Sequence, residues 1–222
     1  MSATVIITAK APAPTGVKTR LAPMLSGPEI VELQRAFIED TVRLARSCRA
    51  DVAIMCPPGD AAVLRGLLRE SDVAIVEQNG HGLEAALEDA FERFTAGGRR
   101  AVALDSDSPH LRPAVLGMAI EGLGDADVAV GPTPDGGYYL VGATQSCRGL
   151  FASTGLGTGT ALERLRHHCQ ARRMSVWSGP EEFDVDRPED LAALVHVLRR
   201  DPSRAPSTAA LLKQWPLWNA DH

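Results

Sequence analysis

Short β-branched runs alternate along this chain with longer segments of helical period, and that alternation constrains the fold more than any other feature. The first run, Thr4–Thr8 (TVIIT), is apolar throughout and stops at the turn-rich KAPAPTG, the pattern of a strand buried on both faces. Gly27–Cys48 follows with Ile30, Leu33, Phe37, Val42 and Leu44 close to helical spacing. The predicted order continues with strand Asp51–Cys56, helix Ala61–Arg69, strand Val73–Val76, helix Leu83–Phe94, strand Ala101–Leu104 and helix Pro113–Ile120. Strands Asp127–Val130 and Tyr138–Val141, helix Thr160–Arg172, strand Met174–Trp177 and helix Pro188–Arg199 complete it. An α/β fold is implied, with a mostly parallel central sheet between helices in a three-layer α/β/α arrangement.

No repeat, charge block or long linker divides the chain, so residues 1–222 read as one domain with 201–222 as an appended tail. That tail is expected to be helical around Ala209–Trp215, with Trp215 and Trp218 packed on the body. A chain 45% hydrophobic and 23% charged has the make-up of a soluble globular protein, and 23 Lys+Arg against 28 Asp+Glu carry no surplus for a nucleic-acid partner. MSATVIITAK lacks the charged start and cleavage site of a secretory signal, and no apolar run approaches the ~18–20 residues of a membrane span. Cys48, Cys56, Cys147 and Cys169 are scattered without a CxxC pair, which suits a reducing cytoplasm. The expected setting is cytoplasmic, without membrane or nucleic acid, and compatible with a homodimer.

In open α/β sheets, ligands sit beyond the carboxyl ends of the strands, and the residues at those positions are unusual here. KAPAPTGVKTRL, after the first strand, carries Lys10, Lys18 and Arg20, a cation set suited to nucleotide phosphates or, alternatively, a solvated loop. It matches neither GxxxxGK[ST] nor GxGxxG. VALDSDSPHL ends in Asp105-Ser106-Asp107, where two carboxylates suit a hard divalent cation but also suit a turn or a helix cap. Asp135-Gly136-Gly137 in GPTPDGGYYLVG offers either close backbone approach to a ligand or a plain hairpin turn before Tyr138 and Tyr139, one of which should face the core. In EEFDVDRPEDL, Asp184 and Asp186 have the spacing of one face of an extended segment, while Asp186 also suits a helix N-cap. His167, His168 and Cys169 point apart on a helix, His81 and His110 lie on loops near strand exits, where they either touch substrate or, as is usual for a lone loop histidine, are solvated, and Thr154–Thr160 (TGLGTGT) reads as a lid over the sheet edge.

Taken together, KAPAPTGVKTRL, SDSP, DGGYYLVG and FDVDRPEDL resemble the bacterial family "rSAM/selenodomain-associated transferase 1" of the nucleotide-diphospho-sugar transferase superfamily, along almost the whole chain. More distantly the chain is similar to phospholactate and molybdenum-cofactor guanylyltransferases. The resemblance implies a glycosyltransferase-A-like fold, with Lys10, Lys18 and Arg20 on nucleotide phosphates and Asp107 and Asp186 as metal ligands, Asp105 joining them if the DxD pair is complete. Gly82 and Leu83 would line the base or ribose pocket, with Asp135, Gly136 and Gly137 also on the nucleotide. Departures are Glu84 where the guanylyltransferases carry Asn, Ser108 where the family carries Cys, and Leu156-Gly157-Thr158 where it carries WST.

The expected activity is that of a transferase dependent on Mg²⁺ or Mn²⁺, moving a nucleoside monophosphate from a triphosphate to a small phosphorylated acceptor. Lys18, Asp107 and Asp186 are its expected catalytic residues. Charge neutralisation and positioning suffice for such chemistry. Sugar transfer from a nucleotide-diphospho-sugar donor is the alternative, and a nucleotide-binding module without catalysis the third reading.

Overall fold

The computed structural model describes residues 2–68 and 72–219, and the predicted helix end at Arg69 and the tail's last three residues lie outside them. Seven strands form one sheet: β1 (Ala3–Thr8), β2 (Asp51–Cys56), β3 (Ala74–Glu77), β4 (Arg100–Asp105), β5 (Val128–Pro132), β6 (Tyr138–Ala143) and β7 (Val176–Ser178), in the order β3-β2-β1-β4-β6-β5-β7. β6 alone runs antiparallel to its neighbours, and the pairings β1 with β2 and β4, β2 with β3, and β5 with β7 are parallel. In consequence the carboxyl ends of six strands and the amino end of β6 reach one edge. That edge collects the loops after β1, β2, β3, β4, β5 and β7.

The helices are α1 (Gly27–Ser47), α2 (Ala61–Leu67), α3 (Gly82–Phe94), α4 (Pro113–Gly122), α5 (Ala161–Ala171), α6 (Pro188–Arg200) and α7 (Pro206–Leu212). Alternate residues of β1 enter opposite cores: Val5 and Ile7 join α1, α2 and α4 through Ile38, Leu64 and Leu116, whereas Ile6 joins α3 and α5 through Phe91 and Leu165. This is the three-layer α/β/α arrangement. A third cluster packs the outer side of α1, through Leu33 and Phe37, on Leu194 and Leu198 of α6, Leu212 of α7 and Trp215. The tail is thus held on the body, and a carboxylate holds it there: buried Asp40 of α1 accepts from the N–H groups of Ser207 (3.0 Å) and Thr208 (2.7 Å) at the start of α7.

Strand limits move by a residue or two from those predicted, and one shift has a visible cause. Asp127 leaves β5 because its carboxylate accepts from the Ser175 N–H and hydroxyl, both at 2.8 Å. Among the described residues no helix is long and apolar enough to cross a membrane. All four cysteines are free thiols.

Candidate functional site

Two cavities open at the carboxyl edge of the sheet. The larger, about 570 Å³, runs from Thr8 at the end of β1 and Lys10 beyond it, past Pro57 and Pro58 after β2 and Gln78 after β3, to Gly82, Leu83 and Ala86 on α3. Lys18, Asp105, Asp107 and Asp186 close its other end. The smaller, about 180 Å³, holds Arg20, Leu87, Thr133, Asp135, Gly137, Tyr138, Leu156, Thr158 and Asp184. Thr8, Leu83, Asp105, Asp107 and Asp186 line both, so carboxylates stand where the two cavities meet.

The basic loop after β1 is pinned at its start. The Asp60 carboxylate accepts from the N–H of Ala11 (2.8 Å) and the Gln34 side chain accepts from that of Ala13 (3.2 Å). Its three cations are not equivalent. Lys10 is exposed at the larger cavity and Arg20 is mostly exposed at the smaller one, but the Lys18 side chain is only 4% exposed. Its ammonium donates to the Val185 carbonyl (2.6 Å), contacts Asp107 Oδ2 (2.8 Å) and donates to Asp186 Oδ1 (3.1 Å). Burial alone would lower the pKa of Lys18, but Asp107 and Asp186 more than offset that, and it lies above the ordinary lysine value.

Asp105 and Asp107 do different work. Asp105 Oδ1 accepts from the backbone N–H of Asp107 at 2.9 Å, a turn that aims the second carboxylate at the cavity junction. Neither residue caps a helix, since α4 begins only at Pro113. Burial, then the negative charges of Asp107 and Asp184, push the Asp105 pKa well above the carboxylate range. The segment 179–186 has no regular structure, and the N–H of Val185 is fixed by the Asp107 carbonyl at 2.9 Å. Asp186 is not the cap of α6 either: the Asp190 carboxylate accepts from the N–H groups of Asp186 (3.1 Å) and Arg187 (2.7 Å). That leaves the Asp186 carboxylate to Lys18 and to Arg20 Nη1 at 3.4 Å.

Asp184, prominent in the sequence but outside the expected metal set, enters the smaller cavity beside this group. Burial, then Asp186, Asp135 and Asp107, push its pKa up to about 6. A carboxyl group whose folded pKa is raised leaves stability intact below its unfolded pKa and costs stability as pH rises through the folded value. Asp184→Asn is therefore expected to be neutral near pH 4 and to raise Tm at pH 7.5 in EDTA. Solvent screening reduces the gain to about 1 kcal/mol, or roughly 2–4 °C for a chain of this size. Thermal melts at the two pH values check this.

Asp135, Gly136 and Gly137 form the β5–β6 turn, in which Asp135 Oδ1 accepts from the Thr133 hydroxyl (2.5 Å) and the Gly137 N–H (3.0 Å). Asp135 and Gly137 line the smaller cavity, whereas Gly136 lines neither cavity and lies against the backbone of Gly159. Tyr139 enters the core, its ring over Gly131 and its hydroxyl donating to the Pro180 carbonyl at 3.1 Å, while Tyr138 lines the smaller cavity. Leu156, Gly157 and Thr158 form part of that cavity's wall.

His110 corrects the sequence reading. Expected to be solvated, it is 0% exposed, because Phe183 from a distant segment stacks on it at 4.0 Å and Glu182 stands 3.8 Å away. Sequence reasoning also missed Gln34, Phe37, Pro57 and Gln78 on the larger cavity. None of these carries a motif, since each becomes a lining residue only through the packing of separate elements.

Among the described residues, no three His, Cys, Asp or Glu side chains form a preassembled metal cage. Hard carboxylate oxygens nonetheless suit a divalent cation, Mg²⁺ in particular needing only one or two from the protein. One oxygen each of Asp107 and Asp186 already surrounds a single positive centre, the Lys18 ammonium.

Residues 41–158 match the family described as "Uncharacterized protein conserved in bacteria (DUF2064)". A phosphoenolpyruvate guanylyltransferase of Geodermatophilus obscurus is 33% identical over 201 residues, covering 88% of this chain and 87% of that protein. One of the same name from Thermomonospora curvata is 30% identical over 207 residues, covering 91% and 86%. A crystal structure from Desulfovibrio desulfuricans G20, provisionally assigned as a nucleotide-diphospho-sugar transferase, superposes with a TM-score of 0.88 at 28% identity, over 96% of this chain and 95% of that one. The resemblance carried by the motifs and the fold agree with these relatives. This chain is a transferase and belongs to the DUF2064 family.

Proposed function

We propose that this transferase moves a nucleoside monophosphate from a nucleoside triphosphate to a small phosphorylated acceptor, with a divalent cation, and releases pyrophosphate. One observation carries the reading: a larger and a smaller cavity meet at Asp105, Asp107 and Asp186. The larger suits a nucleotide, its base toward Gly82 and Leu83 and its phosphates toward Lys10 and Lys18. The smaller suits the acceptor, whose phosphate Arg20 can grip with two parallel N–H groups. An acceptor oxygen then attacks the α-phosphorus, a new P–O bond forms, and the bond to the departing pyrophosphate breaks.

Asp107 and Asp186, with Asp184 close by, would hold the cation, which when bound would neutralise charge on the phosphates. The residues of the chain orient the two substrates, and Lys10 and Arg20 offset charge that remains. No side-chain nucleophile is needed. Asp105 turns its carboxylate toward the Asp107 N–H, which favours this reading over a complete DxD grip on a nucleotide-sugar.

The names of the guanylyltransferase relatives make GTP and phosphoenolpyruvate the first substrates to try. Pyrophosphate release is expected from a panel of nucleoside triphosphates with phosphorylated acceptors and Mg²⁺ or Mn²⁺. Transfer from UDP- or GDP-sugars and none from triphosphates would replace nucleotidyl by glycosyl transfer. Metal-dependent nucleotide binding with no transfer at all would leave a binding module.

A further inference from the structure

Lys18 is the least accessible of the loop's three cations and the most completely partnered. An ammonium has three N–H donors, and here three acceptors take them: Val185 O, Asp107 Oδ2 and Asp186 Oδ1 at 2.6, 2.8 and 3.1 Å. No donor is left for a phosphate oxygen. The Phe37 ring, 5.9 Å from the ammonium, completes its enclosure. A lysine in this state cannot grip a triphosphate, and one oxygen of each of the two carboxylates is already taken by a cation.

The backbone records the same constraint. Lys18 sits at φ 46° and ψ 36°, a left-handed conformation that a residue with a Cβ adopts at a cost and keeps only when its surroundings hold it there. Its side-chain bonds supply part of that hold, and the Leu21 N–H, which donates to the Lys18 carbonyl at 2.9 Å, supplies the rest. On one side the loop is anchored by Ala11 and Ala13, and on the other by fully buried Leu21. Between them Pro14, Thr15 and Gly16 are exposed and make no backbone hydrogen bond among the described residues.

We propose that Lys18 is an internal cation that excludes a divalent ion from Asp107 and Asp186 in the free chain and must leave those carboxylates before the ion can bind. The proposal rests on the reading of this site as one that holds a divalent cation. A triphosphate in the larger cavity offers the departing ammonium new acceptors, so metal and nucleotide enter together. Lys18 is then a positioning residue whose first partner is the carboxylate pair and whose second is substrate.

The sign of one measurement separates this role from a purely structural one. If Lys18 merely organised the carboxylates, its loss would weaken metal binding; if it excludes the ion, its loss tightens it. Mn²⁺ is titrated into the full chain without nucleotide and followed by the electron paramagnetic resonance signal of the free ion. Lys18→Met is expected to bind Mn²⁺ about tenfold or more tightly than the unaltered chain, since a unit charge next to the ion is removed and two ligands are freed. The double variant Lys18→Met/Asp107→Asn should lose that gain, which places the ion at this pair. Addition of the non-hydrolysable α,β-methylene analogue of GTP should tighten Mn²⁺ binding in the unaltered chain more than in Lys18→Met. Circular dichroism verifies folding, and Lys18→Gln serves as the second variant should Lys18→Met not fold. Equal or weaker Mn²⁺ binding by a folded variant overturns the proposal. Failure of transfer with every triphosphate would instead overturn the functional reading alone, because the titration without nucleotide does not depend on it.

Discussion

Asp107→Asn should leave the fold unchanged and lower metal-dependent transfer by a factor of about 10²–10³ or more, the range seen when one group that stabilises transition-state charge is removed. The substitution keeps the shape of the side chain and an oxygen that can still accept from Lys18 at the 2.8 Å contact. It removes the one carboxylate that lines both cavities, contacts the buried ammonium, and has its own backbone N–H bound by Asp105. Pyrophosphate release and a thermal melt, taken together, check this. Full turnover by the variant would remove Asp107 from the chemistry.

The second large effect concerns stability and the smaller cavity. Gly136 has φ +86°, where residues with a Cβ are strained, and a Cβ built there would lie 2.1 Å from the Gly159 carbonyl oxygen. Its own carbonyl accepts from the Leu162 N–H at 3.0 Å, at the start of α5. Gly136→Ala must therefore push apart the β5–β6 turn and the loop that places Leu156 and Thr158 on the cavity wall. Backbone strain and overpacking together should cost about 3 kcal/mol, which lowers Tm by roughly 6–12 °C in a chain of this length. In the functional reading, the acceptor KM rises while the triphosphate KM changes little. Gly157→Ala is the control: its φ is +80° but a Cβ there meets nothing within 4 Å, so only the strain remains. Equal losses in the two variants would show that the Gly159 contact has no consequence.

What could be read in advance follows from how local each signal is. TVIIT announces a doubly buried strand because its apolar run is short, uninterrupted and ended by prolines, and β1 lies inside the sheet between β2 and β4, with Val5 and Ile7 on one face and Ile6 on the other. Asp186 was ambiguous, a cap or a free carboxylate. The ambiguity ends only because Asp190, one helical turn on, takes the two N–H groups at the start of α6. His110 was misread for the complementary reason: nothing near it in sequence is apolar and aromatic, and the ring that buries it is Phe183. Asp40 gave no signal at all, lying on the apolar side of α1 and meeting its partners only when α7 folds back.

By itself, then, the sequence determined the succession of strands and helices, the sheet they imply, and the edge at which charged residues gather, since all of these depend on periodicity and on turns within a few residues. The tertiary structure decided which charges are paired, which are buried and which cavities they share. Those properties depend on distances between segments far apart in the chain. Lys18 shows the difference most clearly: along the chain it is one of three cations on a loop, but in the fold it alone of the three is enclosed by two carboxylates and a carbonyl from segments far away in the sequence.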